Sequence, residues 1–242
     1  PSSSDPELSR ISFDELAEVF AEQAGALIDG DCDLLLVETS QDMLEVKATL
    51  MGIQDAFART GRRIPVQVQV TLDPNGRMLL GTDIGAVLAT LERMPVDVVG
   101  VNCSTGPDHM RGPLAWLGEH SSLPVSCLPN AGLPVNVDGA AVYPLAPADF
   151  AREMADFTAR FGLAAVGGCC GTTPAHIRQL AAAVSAMKPR RRVNGPAPVV
   201  SSGITSASLI QDPRPMLIGE RLNAQGSRKM KELLLAEDYD GV

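Results

Sequence analysis

Five short apolar runs recur along the chain, each about as long as a β-strand. Most are nearly continuous in hydrophobic residues rather than alternating, which is typical of strands buried on both faces of a parallel sheet. The runs cover residues 34–37, 66–72, 96–101, 124–128 and 163–166. The pattern therefore predicts five buried strands.

Helical periodicity fills the intervals between these runs. Ser12 and Glu15 have the spacing of a capping box that opens the first helix. Three stretches have apolar residues at three- and four-residue spacing: 16–28, 43–57 and 84–91. Three weaker helical stretches begin close to a proline, which is tolerated in a first turn: 107–119, 147–161 and 174–188.

Strands that alternate with helices about every 30 residues predict right-handed βαβ units and a parallel α/β sheet. Either an open doubly wound sheet or a closed (β/α)₈ TIM-type barrel satisfies this order. The G-x-G-x-x-G signature of a dinucleotide fold is absent, and polar residues stand at the carboxyl ends of the strands, where barrel active sites lie. We therefore predict a barrel. Because a barrel needs eight strands, we expect that its first three βα units are missing from this chain.

The character of the sequence changes after residue 188. Residues 189–215 contain Arg190 to Arg192, four prolines from Pro196 through Pro215 and a serine-rich stretch, which together predict an interdomain linker. The three arginines are interpreted as part of a solvated hinge, or alternatively as a site for an anionic partner. Met216 to Ile218 resembles a first strand, and a helix is predicted over 228–236. We thus predict a barrel over 1–188, a linker over 189–215 and the start of a second α/β barrel over 216–242.

Composition excludes several classes of function. The 242 residues carry a formal net charge of −9, which argues against a nucleic-acid binder and against docking on an anionic membrane. We find neither a signal peptide nor an apolar run of about 18 residues, so a cytoplasmic protein is expected. The five cysteines are an odd number in a long chain, which favours a reducing compartment.

Three cysteines are candidates for a metal site. Cys169 and Cys170 lie between glycines in GGCCGTTP, at residues 167–174, and Cys103 ends another predicted strand. If the three thiolates converge at the barrel mouth, they suit Zn²⁺ with an open fourth position, which would hold an incoming thiol as the nucleophilic thiolate. The alternatives are a strained vicinal disulfide or two small buried hydrophobic residues. Cys32 and Cys127 are interpreted as core residues.

Glu38 and the histidines are weaker candidates. Glu38 ends an apolar run, where it would bind a substrate ammonium or form an ion pair with a buried basic residue. The three histidines lie in or beside predicted helices, so roles on the surface or in helix packing are favoured over metal ligation. These are His109, His120 and His176.

Four motifs in order resemble the homocysteine S-methyltransferase family. They are VET at 37–39, GVNCS with GPDHM at 100–110, PNAGLP at 129–134 and GGCCGTTPAHI at 167–177. The resemblance implies a (β/α)₈ barrel in which Cys103, Cys169 and Cys170 bind Zn²⁺, with homocysteine sulfur at the fourth position. It also implies that Glu38 binds the substrate amino group, that Asn102 lines the pocket, and that Asn130 neighbours or temporarily occupies the open metal position.

The tail resembles the opening of the pterin-binding domain of cobalamin-dependent homocysteine methyltransferases. By this resemblance Gly226, Ser227 and Arg228 are candidate contacts of methyltetrahydrofolate. The implied reaction transfers a methyl group from methylcobalamin to homocysteine, with methyltetrahydrofolate as the original donor and the cobalamin held on a module outside this chain. The alternatives are a cobalamin-independent enzyme that uses S-methylmethionine or betaine, and a non-catalytic module with structural zinc.

Overall fold

The computed structural model describes residues 11–190, 195–218 and 224–241. It divides into two compact units, the first ending at Ala207 and the second beginning at Ser208. The first unit contains the predicted sheet and its helices. The second is described separately below.

The first unit is built on five parallel strands in sequential order. They are β1 (Leu35–Ser40), β2 (Val66–Val70), β3 (Val98–Asn102), β4 (Val125–Leu128) and β7 (Ala165–Val166). Each strand pairs with the next one in this series, and all four pairings are parallel. A doubly wound sheet would reverse its strand order at a switch point. The sequential order is that of part of a TIM-type barrel, which confirms the predicted fold class.

Six helices accompany these strands. They are α1 (Phe13–Asp29), α2 (Met43–Thr60), α3 (Ile84–Leu91), α4 (Pro107–His120), α5 (Pro147–Phe161) and α6 (Pro174–Val184). The predicted capping box opens α1, with the Glu15 N–H donating to Ser12 Oγ and the Ser12 N–H donating to Glu15 Oε2. None of the described helices has both the length and the apolar character that crossing a bilayer requires.

The core lies between the strands and the helix layer. Every residue of β2 is buried, as expected for a strand covered on both faces. Phe150 and Phe157 of α5 and Leu114 and Leu117 of α4 are fully buried. Burial of each such side chain contributes about 1.5–3 kcal/mol. This layer therefore anchors the strands whose ends carry the cysteines.

A β-hairpin that the sequence analysis missed follows β4. It comprises β5 (Val135–Val137) and β6 (Ala140–Val142), which pair antiparallel. Asp138 and Gly139 between them both have positive φ, 52° and 85°. This is the backbone of a type I′ turn, for which Asp-Gly is a favoured sequence. The dipeptide was therefore a usable signal for the hairpin.

Part of the predicted linker belongs to the first unit. The Asp83 N–H donates to the Ile204 carbonyl at 2.8 Å, and Thr82 Oγ1 donates to the Gly203 carbonyl at 2.6 Å. Strands β8 (Val199–Ser201) and β9 (Ser206–Ser208) lie in this region. Arg190, although exposed, donates to the carbonyls of Gly118 and Arg160. Arg191 and Arg192 lie outside the described residues, and the linker boundaries stay a prediction.

Among its described residues, the second unit has one helix, α7 (Arg228–Leu235), close to the predicted range 228–236. The prediction of a strand at Met216 to Ile218 is wrong, because these residues do not form a strand. The Leu217 N–H donates to the side chain of Gln211 at 3.0 Å, so it is not available to a neighbouring strand. Residues 219–223, which the resemblance to a pterin-binding domain includes, lie outside the described residues.

Candidate metal centre

Three thiols meet at the mouth, by which we mean the edge formed by the carboxyl ends of the five parallel strands. Cys103 directly follows β3, and Cys169 with Cys170 lies in the loop between β7 and α6. The three Sγ atoms all lie within 4.8 Å of one another. Cys170 Sγ is 3.8 Å from that of Cys103 and 3.9 Å from that of Cys169. All three are free thiols, so the alternative of a vicinal disulfide is not found.

The backbone after β3 turns sharply where it carries the first thiol. Cys103 and Ser104 have φ values of 62° and 64°, in the left-handed region that residues other than glycine rarely adopt. Such a conformation costs on the order of 1–3 kcal/mol per residue. Hydrogen bonds from Cys103 N to the Leu128 carbonyl at 3.2 Å and from Thr105 N to the Cys103 carbonyl at 2.7 Å hold the turn.

The loop with the other two thiols is held by the PNAG segment. Cys169 N donates to the Pro129 carbonyl at 2.8 Å, and Ala131 N donates to the Cys170 carbonyl at 2.9 Å. Cys170 N donates to Oδ1 of buried Asn130 at 3.0 Å. Asn130 therefore lies against the loop of Cys169 and Cys170, and its amide oxygen holds the Cys170 backbone.

Asn102 and Glu38 lie next to the thiols. Asn102 is fully buried, and its Nδ2 is 3.4 Å from Glu38 Oε2 and 3.9 Å from Cys169 Sγ. Glu38 is exposed, and it forms no ion pair with a lysine or arginine among the described residues. The alternative of a structural ion pair at Glu38 therefore has no partner among the described lysines and arginines, and its carboxylate lies beside Asn102 at the mouth.

The donor set fits a soft divalent cation. Partial burial, together with the hydrogen bond and the charges of the neighbouring thiols, raises the pKa of the Cys169 thiol to about 12. Three close thiolates thus need compensating positive charge. Among the described residues, no histidine, carboxylate or further cysteine joins the three sulfurs as a fourth ligand. Three sulfur ligands with an open position match a catalytic zinc site, since structural zinc sites are usually closed by four protein ligands.

His176 was not predicted to belong to the site, yet it supports the cysteine loop. Its ring is buried in α6, where Nδ1 accepts the Thr173 N–H at 3.1 Å and Nε2 lies 2.9 Å from the Leu145 carbonyl. These partners require a neutral ring with the proton on Nε2. His176 therefore has the expected helix-packing role. It also joins the loop before α5 to the turn after Cys170.

Tyr143 is a further neighbour of the site that the sequence analysis missed. Its ring fills the space that a Cβ at Gly171 would occupy, and Gly171 has a left-handed φ of 76°. Burial raises the pKa of the Tyr143 hydroxyl, and a hydrogen bond with Cys170 raises it further. Glycine is thus required at 171 for two reasons, the backbone conformation and the close approach of the ring.

The candidate folate contacts lie together at the start of α7. Ser227 is the N-cap of this helix, and its Oγ accepts the Met230 N–H at 3.3 Å. Arg228 is exposed and pairs with Glu232, with 2.8 Å between Nε and Oε1. The proximity of Gly226, Ser227 and Arg228 follows from their adjacency in sequence, so the folate assignment stays a prediction.

Comparison with known sequences identifies the family. The sequence model described as homocysteine S-methyltransferase matches residues 2–184. A protein named methionine synthase from Mycobacterium tuberculosis is 47% identical over 234 residues, which are 97% of this chain and 20% of that protein. The methionine synthase of Mycobacterium leprae is 45% identical over 239 residues, again 20% of its length. The chain thus spans about a fifth of the length of these relatives.

Solved structures agree with this assignment. The apo form of the homocysteine methyltransferase MmuM from Escherichia coli superposes with a TM-score of 0.57 at 26% identity, covering 72% of this chain and 58% of that one. The metallated form of the same protein gives a TM-score of 0.54 at 26% identity, covering 72% of this chain and 53% of that one. The matched segment, the parallel strand order and the three gathered thiols agree, and the chain belongs to the homocysteine S-methyltransferase family.

Proposed function

We propose that this chain binds Zn²⁺ through Cys103, Cys169 and Cys170 and uses the site to activate the thiol of homocysteine for methylation to methionine. The observation that carries the proposal is the gathering of three sulfurs within 4.8 Å in a member of this family. When bound, zinc would stabilise a substrate thiol as its thiolate at neutral pH, where a free thiol with a pKa of about 8.5 is mostly protonated.

The protein's own residues bind and orient the amino acid in this proposal. Glu38 has an exposed carboxylate close to the sulfurs and binds the substrate ammonium. Buried Asn102 forms the adjacent wall, and Asn130 holds the Cys170 backbone so that the third sulfur keeps its place. The substrate thiol would lose its proton to solvent, and the thiolate would take the methyl group from the donor, which keeps the electron pair of the broken bond.

For the methyl donor, we propose methylcobalamin held on a cobalamin-binding module of the same enzyme, with methyltetrahydrofolate as the original donor. The support is the 47% identity, over nearly the whole chain, to a protein named methionine synthase. The chain would then contribute to a cobalamin-dependent methionine synthase, with Gly226, Ser227 and Arg228 at the folate site. Five free thiols are consistent with a place in the reducing cytoplasm.

Metal analysis tests the zinc site. We expect about one zinc per protein molecule and loss of this zinc in Cys169→Ser, because the hydroxyl of serine is a poor replacement for thiolate. Cys127→Ser is the matched control, since Cys127 is buried away from the cluster and should leave zinc content unchanged. Full zinc content in Cys169→Ser would overturn the proposed ligand set.

Two further measurements separate the alternatives. If zinc is structural, the sulfur count around it in X-ray absorption will not rise when homocysteine is added; we expect it to rise by one. If the donor is S-methylmethionine or betaine, the protein will transfer methyl groups from these compounds and will not require methylcobalamin. Methyl transfer from either compound without methylcobalamin would indicate an activity like that of stand-alone homocysteine methyltransferases.

A further inference from the structure

Thr39 has an unusual backbone conformation directly after Glu38. Its φ is 58°, in the left-handed region, where a β-branched residue is a genuine outlier. A conformation of this kind persists only when surrounding contacts hold it, and such residues cluster at functional sites. Thr39 therefore needs a partner that compensates for the strain.

The partner is Asn102, on a strand that is not adjacent to β1. Thr39 N donates to Asn102 Oδ1 at 2.9 Å, and Asn102 Nδ2 donates to Thr39 Oγ1, also at 2.9 Å. Strand β2 lies between the two strands in the sheet, so this double hydrogen bond passes across the end of β2. Because Asn102 is fully buried, its amide has no water to exchange with.

The same amide nitrogen connects Glu38 with the thiols. Asn102 Nδ2 lies 3.4 Å from Glu38 Oε2 and 3.9 Å from Cys169 Sγ. The backbone carbonyl of Asn102 accepts from Thr71 Oγ1 at 3.0 Å, which holds the residue from its other side. No other described side chain hydrogen-bonds to the Glu38 carboxylate, so its position depends on this contact and on the Thr39 backbone.

We propose that Thr39 and Asn102 form a positioning pair that holds the Glu38 carboxylate at a set distance from the three sulfurs and thereby selects thiols that carry an ammonium group. This inference rests on the proposed function, in which Glu38 binds the ammonium of homocysteine. Thr39 acts through Glu38 and does not contact the reacting sulfur.

Substitution of Thr39 tests the pair. Thr39→Val keeps the β-branched shape and the backbone strain but removes the hydroxyl that accepts from Asn102, and Thr39→Ser keeps the hydroxyl. Calorimetry on the zinc-loaded protein would compare L-homocysteine with 4-mercaptobutyrate, which has the same thiol and carboxylate but no ammonium. Zinc content is measured in each variant.

We expect Thr39→Val to raise the Kd of L-homocysteine about tenfold, the effect of one lost hydrogen bond. The Kd of 4-mercaptobutyrate and the zinc content should stay unchanged, and Thr39→Ser should restore the affinity for homocysteine. If Thr39→Val does not fold, Thr39→Gly replaces it, because glycine adopts the left-handed conformation without strain and also lacks the hydroxyl.

Two results for Thr39→Val would overturn the inference but not the proposed function. One is an equal rise in the Kd of both thiol ligands, which indicates a general structural role. The other is no change in the Kd of either ligand. A wild-type protein that binds zinc but neither thiol would instead overturn the proposed function, and the inference with it. The comparison of the two ligands thus keeps the two failures apart.

Discussion

The helix-covered core and the mouth of the sheet use opposite means to hold their residues in place. In the core, α4 and α5 bury large apolar side chains completely, and no residue of either helix has a left-handed φ. At the mouth, Thr39, Cys103 and Ser104 take left-handed conformations, and hydrogen bonds between strand ends hold Thr39 and Cys103. The comparison teaches that this protein gains stability in the core and accepts local strain where the thiols gather.

The largest effect on stability is expected in the core. Phe157→Ala removes a fully buried ring and should lower the free energy of unfolding by about 3–5 kcal/mol. Zinc content per folded molecule should not change, because Phe157 belongs to the hydrophobic core and is not one of the residues that hold the thiols. Urea denaturation with metal analysis of the folded fraction measures both quantities.

Phe157→Leu is the milder companion, with a smaller cavity and a smaller loss of unfolding free energy. If either folded variant lost its zinc, the core and the mouth would be coupled, and the contrast between them would not hold.

An intermediate effect is expected where the two regions meet. A Cβ at Gly106, the N-cap of α4, would lie 2.7 Å from the Gly132 Cα, between the loop after Cys103 and the loop after Asn130. Gly106→Ala should therefore push these loops apart, cost about 1–3 kcal/mol of unfolding free energy and weaken zinc binding. Competition with a zinc chelator measures the affinity.

Gly25→Ala, inside α1, is the matched control. An added Cβ there meets nothing within 4 Å, so alanine should stabilise the protein by about 0.5–1 kcal/mol through its higher helix propensity. Zinc affinity should be that of the wild type. If the control variant and Gly106→Ala had the same zinc affinity, the close approach of Gly106 to Gly132 would not matter for the site.

The smallest effect on stability, with a clear effect on metal binding, is expected at Asn130. Asn130→Ala removes the acceptor for the Cys170 N–H and should cost about 0.5–1.5 kcal/mol. Zinc affinity should fall about 10–100-fold, the usual range for residues that orient metal ligands. Asn130→Asp keeps an acceptor oxygen and should retain more of this affinity; an affinity unchanged in both variants would show that the Cys170 backbone needs no such support.

Much of the fold followed from the apolar pattern. The five parallel strands and six helices of the first unit agree with the runs and the periodicity, because burial on two faces or on one helical stripe leaves a direct record in the chain. The convergence of Cys103 with Cys169 and Cys170 also followed, since parallel strands end at a common edge. The strand predicted at 216–218 does not form, and the Leu217 N–H there bonds to the Gln211 side chain instead.

Other features left no such record. No periodic pattern predicts that Thr39 has a left-handed backbone or that it pairs with Asn102, 63 residues away. Nor does any such pattern predict that the segment around Ile204 bonds to the start of α3. His176 has the position of a capping residue but not one of the usual residue types for it. The β5–β6 hairpin is different, because its Asp-Gly turn was visible and was overlooked.

The amino-acid order alone determined where strands and helices form and that three sulfurs stand at strand ends, since hydrophobic spacing and strand direction are local properties. Only the tertiary structure decided which N–H meets which oxygen around those sulfurs. A hydrogen bond between loops depends on positions accurate to a few tenths of an ångström, and these arise from the packing of the whole sheet and its helices.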